Sequence, residues 1–118
     1  MAWVVVVPEW LPLPEIDDLP DPGSRGVTLE LSNGTVEVIL LQKGGCLFAY
    51  RNRCPHTGVN LEWQPDRFLD FTDRYIQCAT HGALFRIEDG YCLRGPCAGQ
   101  HLNSIPLRME SGRVFVMI

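Results

Sequence analysis

The stretch "VTLELSNGTVEVILLQKGGCLFAYRN", residues 27–52, carries the pattern that decides the fold. Three runs rich in β-branched and apolar residues (27–31, 35–42 and 46–52) are parted by "SNG" and "KGG", turns short enough to force antiparallel neighbours. The step from Asn33 to Gly34 supplies the positive φ that a tight hairpin demands. In the third run, strand alternation puts Leu47, Ala49 and Arg51 on one face and Cys46, Phe48 and Tyr50 on the other. Outward from this block the pattern repeats. "RYIQ" (74–77) and "ALFRI" (83–87) read as strands, the latter turning through "EDG" into "YCLR" (91–94). A last hairpin turns through "ESG" into "RVFVMI" (113–118), and "WVVVV" (3–7) reads as a buried strand. "LPLPEIDDLPDPGSRG" (11–26), with four prolines, is expected to be a loop. No amphipathic helical period runs through the chain. The expectation is an all-β fold of antiparallel sheets forming a small sandwich or barrel, as one domain over residues 1–118.

The 118 residues are enough to bury a core without covalent staples. An apolar fraction of 46% and a charged fraction of 20% belong to a globular chain, neither disordered nor membrane-embedded. The net charge is −4 and Lys43 is the single lysine, so no basic stripe suited to nucleic acid stands out. Five acidic residues between Glu9 and Asp21 read as a solvated loop. No apolar run reaches the ~18–20 residues of a membrane span, and "MAWVVVVPEW" lacks the basic start of a signal peptide. A cytoplasmic location is therefore expected, and an odd count of five cysteines argues against a disulfide framework and for metal ligation.

Two loops interrupt the strands. "RCPHTGVNLEW" (53–63) holds Cys54 and His56, and "QCATHGALF" (77–85) holds Cys78 and His81. Two thiolates and two imidazoles can bind a tetrahedral zinc ion or a [2Fe–2S] cluster. Zinc knuckles usually pair like ligands as C-x2-4-C and H-x3-5-H. Here each loop brings one Cys and one His, an arrangement suited to two chemically distinct irons, with each loop reaching both. Pro55 stiffens the first bite, and Gly58 and Gly82 allow a tight turn past each histidine. Structural zinc stays open as an alternative.

The boxes "CPHTG" and "CATHG" resemble the paired C-x-H and C-x2-H motifs of the Rieske [2Fe–2S] family. The resemblance extends over essentially the whole chain, including the loop at Gly95 and Pro96, and places a cluster-binding subdomain at about residues 52–97. It implies one [2Fe–2S] cluster per chain, with Cys54 and Cys78 on one iron and His56 and His81 on the other. It also implies a one-electron carrier of the ferredoxin type, passing electrons from a reductase to an oxygenase or another oxidoreductase. The alternative is a small electron-transfer subunit of a larger oxidoreductase, such as a nitrite-reductase-like complex. Rieske potentials run from roughly −150 to +300 mV. High-potential members carry an extra disulfide and two hydroxyl donors near the cluster. The corresponding positions here are Val59 and Thr80, then Ala83 and Phe85, so a potential toward the low end is expected.

The remaining residues invite plainer readings. Cys46 and Cys92 lie in strands and are expected to pack as small hydrophobes. Cys97 follows the loop that covers the cluster in the family, which raises a redox or protective role. His101 reads as structural or exposed, and Trp63 as core. The segment "QPDRFLDFTDR" (64–74) is a plausible docking edge. No catalytic nucleophile, general base pair or phosphate loop is found, so independent turnover by this chain is not expected.

Overall fold

A computed structural model of the chain describes residues 10–13, 19–31, 34–53, 55, 61, 67–78 and 82–117. Nine strands are found among them: β1 Trp10–Pro12, β2 Gly23–Leu31, β3 Gly34–Lys43, β4 Cys46–Arg51, β5 Tyr75–Gln77, β6 Leu84–Arg86, β7 Cys92–Arg94, β8 Leu107–Glu110 and β9 Arg113–Met117. They form three antiparallel three-stranded sheets, ordered β1-β9-β8, β2-β3-β4 and β5-β6-β7. No helix occurs among the described residues, and none is long and apolar enough to cross a membrane.

The β2-β3-β4 sheet is the middle layer, and period-two alternation makes it so. In β3, Val38, Ile39, Leu40 and Leu41 are all fully buried, which requires cover on both faces. Ile39 and Leu41 join Phe48 and Tyr50 of β4 in a core shared with Ile76, Phe85 and Cys92 of the β5-β6-β7 sheet. Val38 and Leu40 join Leu47 and Ala49 in a second core with Leu11, Leu107, Val114 and Val116 of the β1-β9-β8 sheet. The face assignment expected for β4 is thus found. Each buried aliphatic side chain is worth about 1.5–3 kcal/mol, so the two cores dominate stability.

The proline-rich segment departs from expectation at both ends. Trp10–Pro12 pairs with β9 as a strand, and residues 23–26 extend β2, pairing Gly23 with Gln42 through Gly26 with Ile39. A ten-residue β3 offers backbone partners well past Val27, and pairing prevails over the weak intrinsic preference of glycine and serine. Asp21, expected to be merely solvated, accepts hydrogen bonds from Gly44 N–H and Gly45 N–H, both at 2.8 Å, and so caps the β3-β4 turn. The strand expected at residues 3–7 and the turn residue Asn33 lie outside the described residues.

The turn between β6 and β7 is seated on the middle sheet. Tyr50 Oη donates to the Ile87 carbonyl at 2.5 Å. Gly90, at φ +73°, lies against the Tyr50 ring, where an added Cβ would meet Tyr50 Cε1 at 2.8 Å. Lys43 bridges to Glu88 at 2.7 Å across the same gap. This contact lowers the Glu88 pKa, chiefly through the lysine hydrogen bond.

Candidate metal centre

The first box follows β4. Asn52 ends that strand with its N–H on the Glu37 carbonyl at 2.9 Å, so the exit from the sheet is fixed. Its side chain, almost fully buried, then spans the loop: Oδ1 accepts the Leu61 N–H at 2.8 Å. Leu61 is itself fully buried in the core that contains Cys78. Asn52 and Leu61, which flank the first box, are therefore tied to each other and to the core. Cys54 and His56 lie outside the described residues.

The second box is the loop of the β5-β6 hairpin. Cys78 N–H donates to the Ala83 carbonyl and the Cys78 carbonyl accepts from Gly82 N–H, each at 2.9 Å. These two bonds tie Cys78 to Gly82 and Ala83, and Gly82 at φ +66° provides the left-handed backbone they need. Cys78 is fully buried at the mouth of the loop. His81 lies outside the described residues. The two boxes hang from different sheets, the first from the middle sheet and the second from the β5-β6-β7 sheet.

A third loop packs on the second. Gly95, at φ +110°, approaches Ala83 so closely that an added Cβ would lie 2.8 Å from Ala83 Cβ and 2.9 Å from its Cα. Ala83 and Phe85 are buried and carry no hydroxyl, so neither can donate a hydrogen bond from its side chain toward a metal-bound sulfur. Cys78, in a buried pocket of a glycine-closed loop, is a donor of the right chemistry for iron or zinc. Among the described residues no group of three or more His, Cys, Asp or Glu could hold a metal ion.

The chain matches the family model described as "Rieske [2Fe-2S] domain" over residues 9–108. The chain belongs to the Rieske family. A Rieske domain carries one [2Fe–2S] cluster and serves one-electron transfer. Over 108 residues the chain is 32% identical to the ferredoxin component of the alkene monooxygenase system of Xanthobacter autotrophicus (strain ATCC BAA-1158 / Py2), covering 92% of this chain and 80% of that relative. It is 30% identical over 89 residues to the terminal oxygenase component of carbazole 1,9a-dioxygenase of Sphingomonas sp, covering 70% of this chain but 23% of the relative. Among solved structures, the terminal oxygenase of carbazole 1,9a-dioxygenase from Novosphingobium sp. KA1 superposes with a TM-score of 0.75 at 26% identity, over 92% of this chain and 29% of that one. A chain from the complex of reduced oxygenase and oxidized ferredoxin in carbazole 1,9a-dioxygenase shares the fold, with a TM-score of 0.71 at 23% identity and 92% of each chain covered. The chain thus spans under a third of the oxygenase relatives.

The structure departs from the sequence reading at Cys46 and in part of the 64–74 segment, and agrees with it at Cys92 and His101. Cys46 is exposed beside the β3-β4 turn, not packed, because it pairs with Lys43 as the last rung before Gly44 and Gly45, beyond the buried stretch of the sheet. Cys92 is buried as expected. His101 is exposed and sets its ring edge-on to Tyr91, with centroids 5.0 Å apart. Trp63 lies outside the described residues. In the segment taken as a docking edge, Phe68, Leu69 and Asp70 are buried and Phe71 is 96% exposed. The Asp70 carboxylate organises this turn, accepting from Thr72 Oγ1 at 2.9 Å and Arg74 N–H at 3.2 Å. The anchoring role of Asn52 had no signal beyond its position at a strand end.

Proposed function

We propose that Cys54, His56, Cys78 and His81 hold the [2Fe–2S] cluster of a ferredoxin-type carrier that shuttles single electrons from a reductase to an oxygenase. The observation that carries this reading is the second box: a hairpin loop closed by two backbone hydrogen bonds, with Cys78 buried at its mouth in a chain of the Rieske family. Cys54 and Cys78 would bind one iron and His56 and His81 the other, and the cluster when bound takes up and gives back one electron. The residues of this chain supply everything else. Asn52 and Leu61 hold the first loop, Gly82 shapes the second, and the Gly95 loop covers Ala83.

The absence of hydroxyls at Ala83 and Phe85 supports a potential at the low end of the Rieske range, about −150 mV. Likeness to the alkene monooxygenase ferredoxin over 92% of this chain supports an oxygenase as electron acceptor. The exposed Phe71, beside a cleft lined by Pro20, Gly23, Arg67 and Gln77, offers an apolar contact on the β5 side for such a partner. The proposal includes one cluster-bearing domain over residues 1–118, with a cluster-binding part at about 52–97, working in the cytoplasm.

The test is an anaerobic redox titration with parallel assay of iron and acid-labile sulfide. Equal amounts of iron and sulfide and a one-electron step well below roughly +100 mV are expected. A colourless, sulfide-free protein that retains zinc would overturn the ligand assignment.

A further inference from the structure

We propose that Cys92 and Cys97 form a dithiol that hydrogen peroxide converts to an intrachain disulfide, taking up oxidant beside the cluster loops. Their sulfurs lie 3.0 Å apart, and both residues are 1% exposed. That separation is only about 1 Å longer than a disulfide bond of ~2.05 Å, so side-chain rotation with slight backbone adjustment closes it. Backbone hydrogen bonds hold the loop that carries both cysteines. Cys92 N–H donates to the Gln100 carbonyl at 2.8 Å and the Cys92 carbonyl accepts from Gly99 N–H at 3.1 Å, which fastens the base of the loop. Within it, Gln100 N–H donates to the Cys97 carbonyl at 2.9 Å and Ala98 N–H to the Gly95 carbonyl at 3.1 Å.

The pair is buried, but its neighbours along the chain are not. Residues 93–96 and 98–100 are all exposed, so a small neutral oxidant has a short path to thiols that a bulky disulfide could not reach. Ala83, which Gly95 touches, and Cys78 belong to the same buried cluster as Cys92 and Cys97. Oxidation would therefore occur next to the second box without using its ligand.

The chemistry balances in two steps. Peroxide oxidises one thiol to a sulfenic acid: the O–O bond breaks, an S–O bond forms and one water leaves. The neighbouring sulfur then attacks, the S–S bond forms, the S–O bond breaks and a second water leaves. Two thiols and one hydrogen peroxide give one disulfide and two waters.

Peptide mapping of the intact protein tests this, independently of whether the cluster assignment holds. The protein is treated with graded hydrogen peroxide, quenched, denatured, alkylated and cut after arginine. Arg94 lies between the two cysteines, so only a disulfide keeps the two resulting peptides together. Exposed Cys46 is the internal dose marker. At doses that oxidise Cys46, a linked pair containing Cys92 and Cys97, lighter by two hydrogens and released by dithiothreitol, is expected. Separate alkylation of both cysteines at those doses, conversion of Cys97 to sulfinic acid with Cys92 still a thiol, or linkage of either to Cys78 would overturn it. Cys92→Ala and Cys97→Ala should each lose the linked pair and bleach faster in peroxide than the parent. Their anaerobic bleaching by a chelator should match the parent, and a parallel acceleration there would mark a packing role only.

Discussion

At the scale of single residues, the polar groups buried beside the two loops carry the most specific consequences. Replacing Asn52 by alanine leaves the buried Leu61 N–H without the acceptor it now has, at a cost of about 1–3 kcal/mol. Denaturant unfolding should show that loss, and iron should leave the variant faster because the first loop is no longer pinned. Tyr50 is governed by burial, which raises its pKa well above the ordinary ~10, with Asp89 and Glu88 adding to the shift. The folded protein thus keeps a proton that the unfolded chain releases, so stability is fully present below about pH 10 and falls as pH rises beyond it. Tyr50→Phe should flatten that alkaline decline while costing about 0.5–1.5 kcal/mol at neutral pH for the hydrogen bond to Ile87. The two boxes holding Cys54, His56, Cys78 and His81 were legible in the sequence as a spacing that few other chemistries use, and it is on that spacing that the proposed ligand set rests. Asn52 and Cys46 were not. An asparagine at a strand end looks like any turn residue, and alternation says which face a cysteine takes but not whether that face is bare beside the turn.

At the scale of elements, β3 separates the two cores, and neighbouring residues in it should behave differently. Ile39→Ala and Leu40→Ala should each cost about 2–5 kcal/mol, since both side chains are fully buried. Only Ile39 faces the core that includes Cys78, so only Ile39→Ala should also speed loss of visible absorbance under a chelator. The Gly95 loop gives a second contrast. Gly95→Ala puts a Cβ 2.8 Å from Ala83 on a backbone at φ +110°, and it should destabilise the second box. Gly99→Ala, at φ +90° with open space around it, shares the backbone cost without the clash. A larger drop in cluster retention for Gly95→Ala than for Gly99→Ala is the expected outcome. The hairpins from Val27 onward were legible because turn residues and period-two runs coincide there. The pairing of residues 10–12 and 23–26 was not, since prolines and glycines signal loops locally and only the length of the partner strand recruits them.

At the scale of the whole molecule, three layered sheets give the two Cys/His boxes separate supports, and the middle sheet is joined to the β6-β7 turn through Tyr50, Gly90 and the bridge from Lys43 to Glu88. The bridge is exposed, so Lys43→Ala should change stability by under about 1 kcal/mol, and coupling rests on the buried contacts. All-β architecture followed from the strand pattern, while the stacking order did not, because which face of β3 meets which sheet depends on long-range pairing. The proposed function depends on mixed nitrogen and sulfur ligation of one cluster. Pulsed electron paramagnetic resonance of the reduced protein measures that directly. Two coupled imidazole nitrogens, each abolished by substituting His56 or His81, and an average g-value lower than that of an all-cysteine cluster are predicted. A reduced cluster without nitrogen coupling would contradict the assignment.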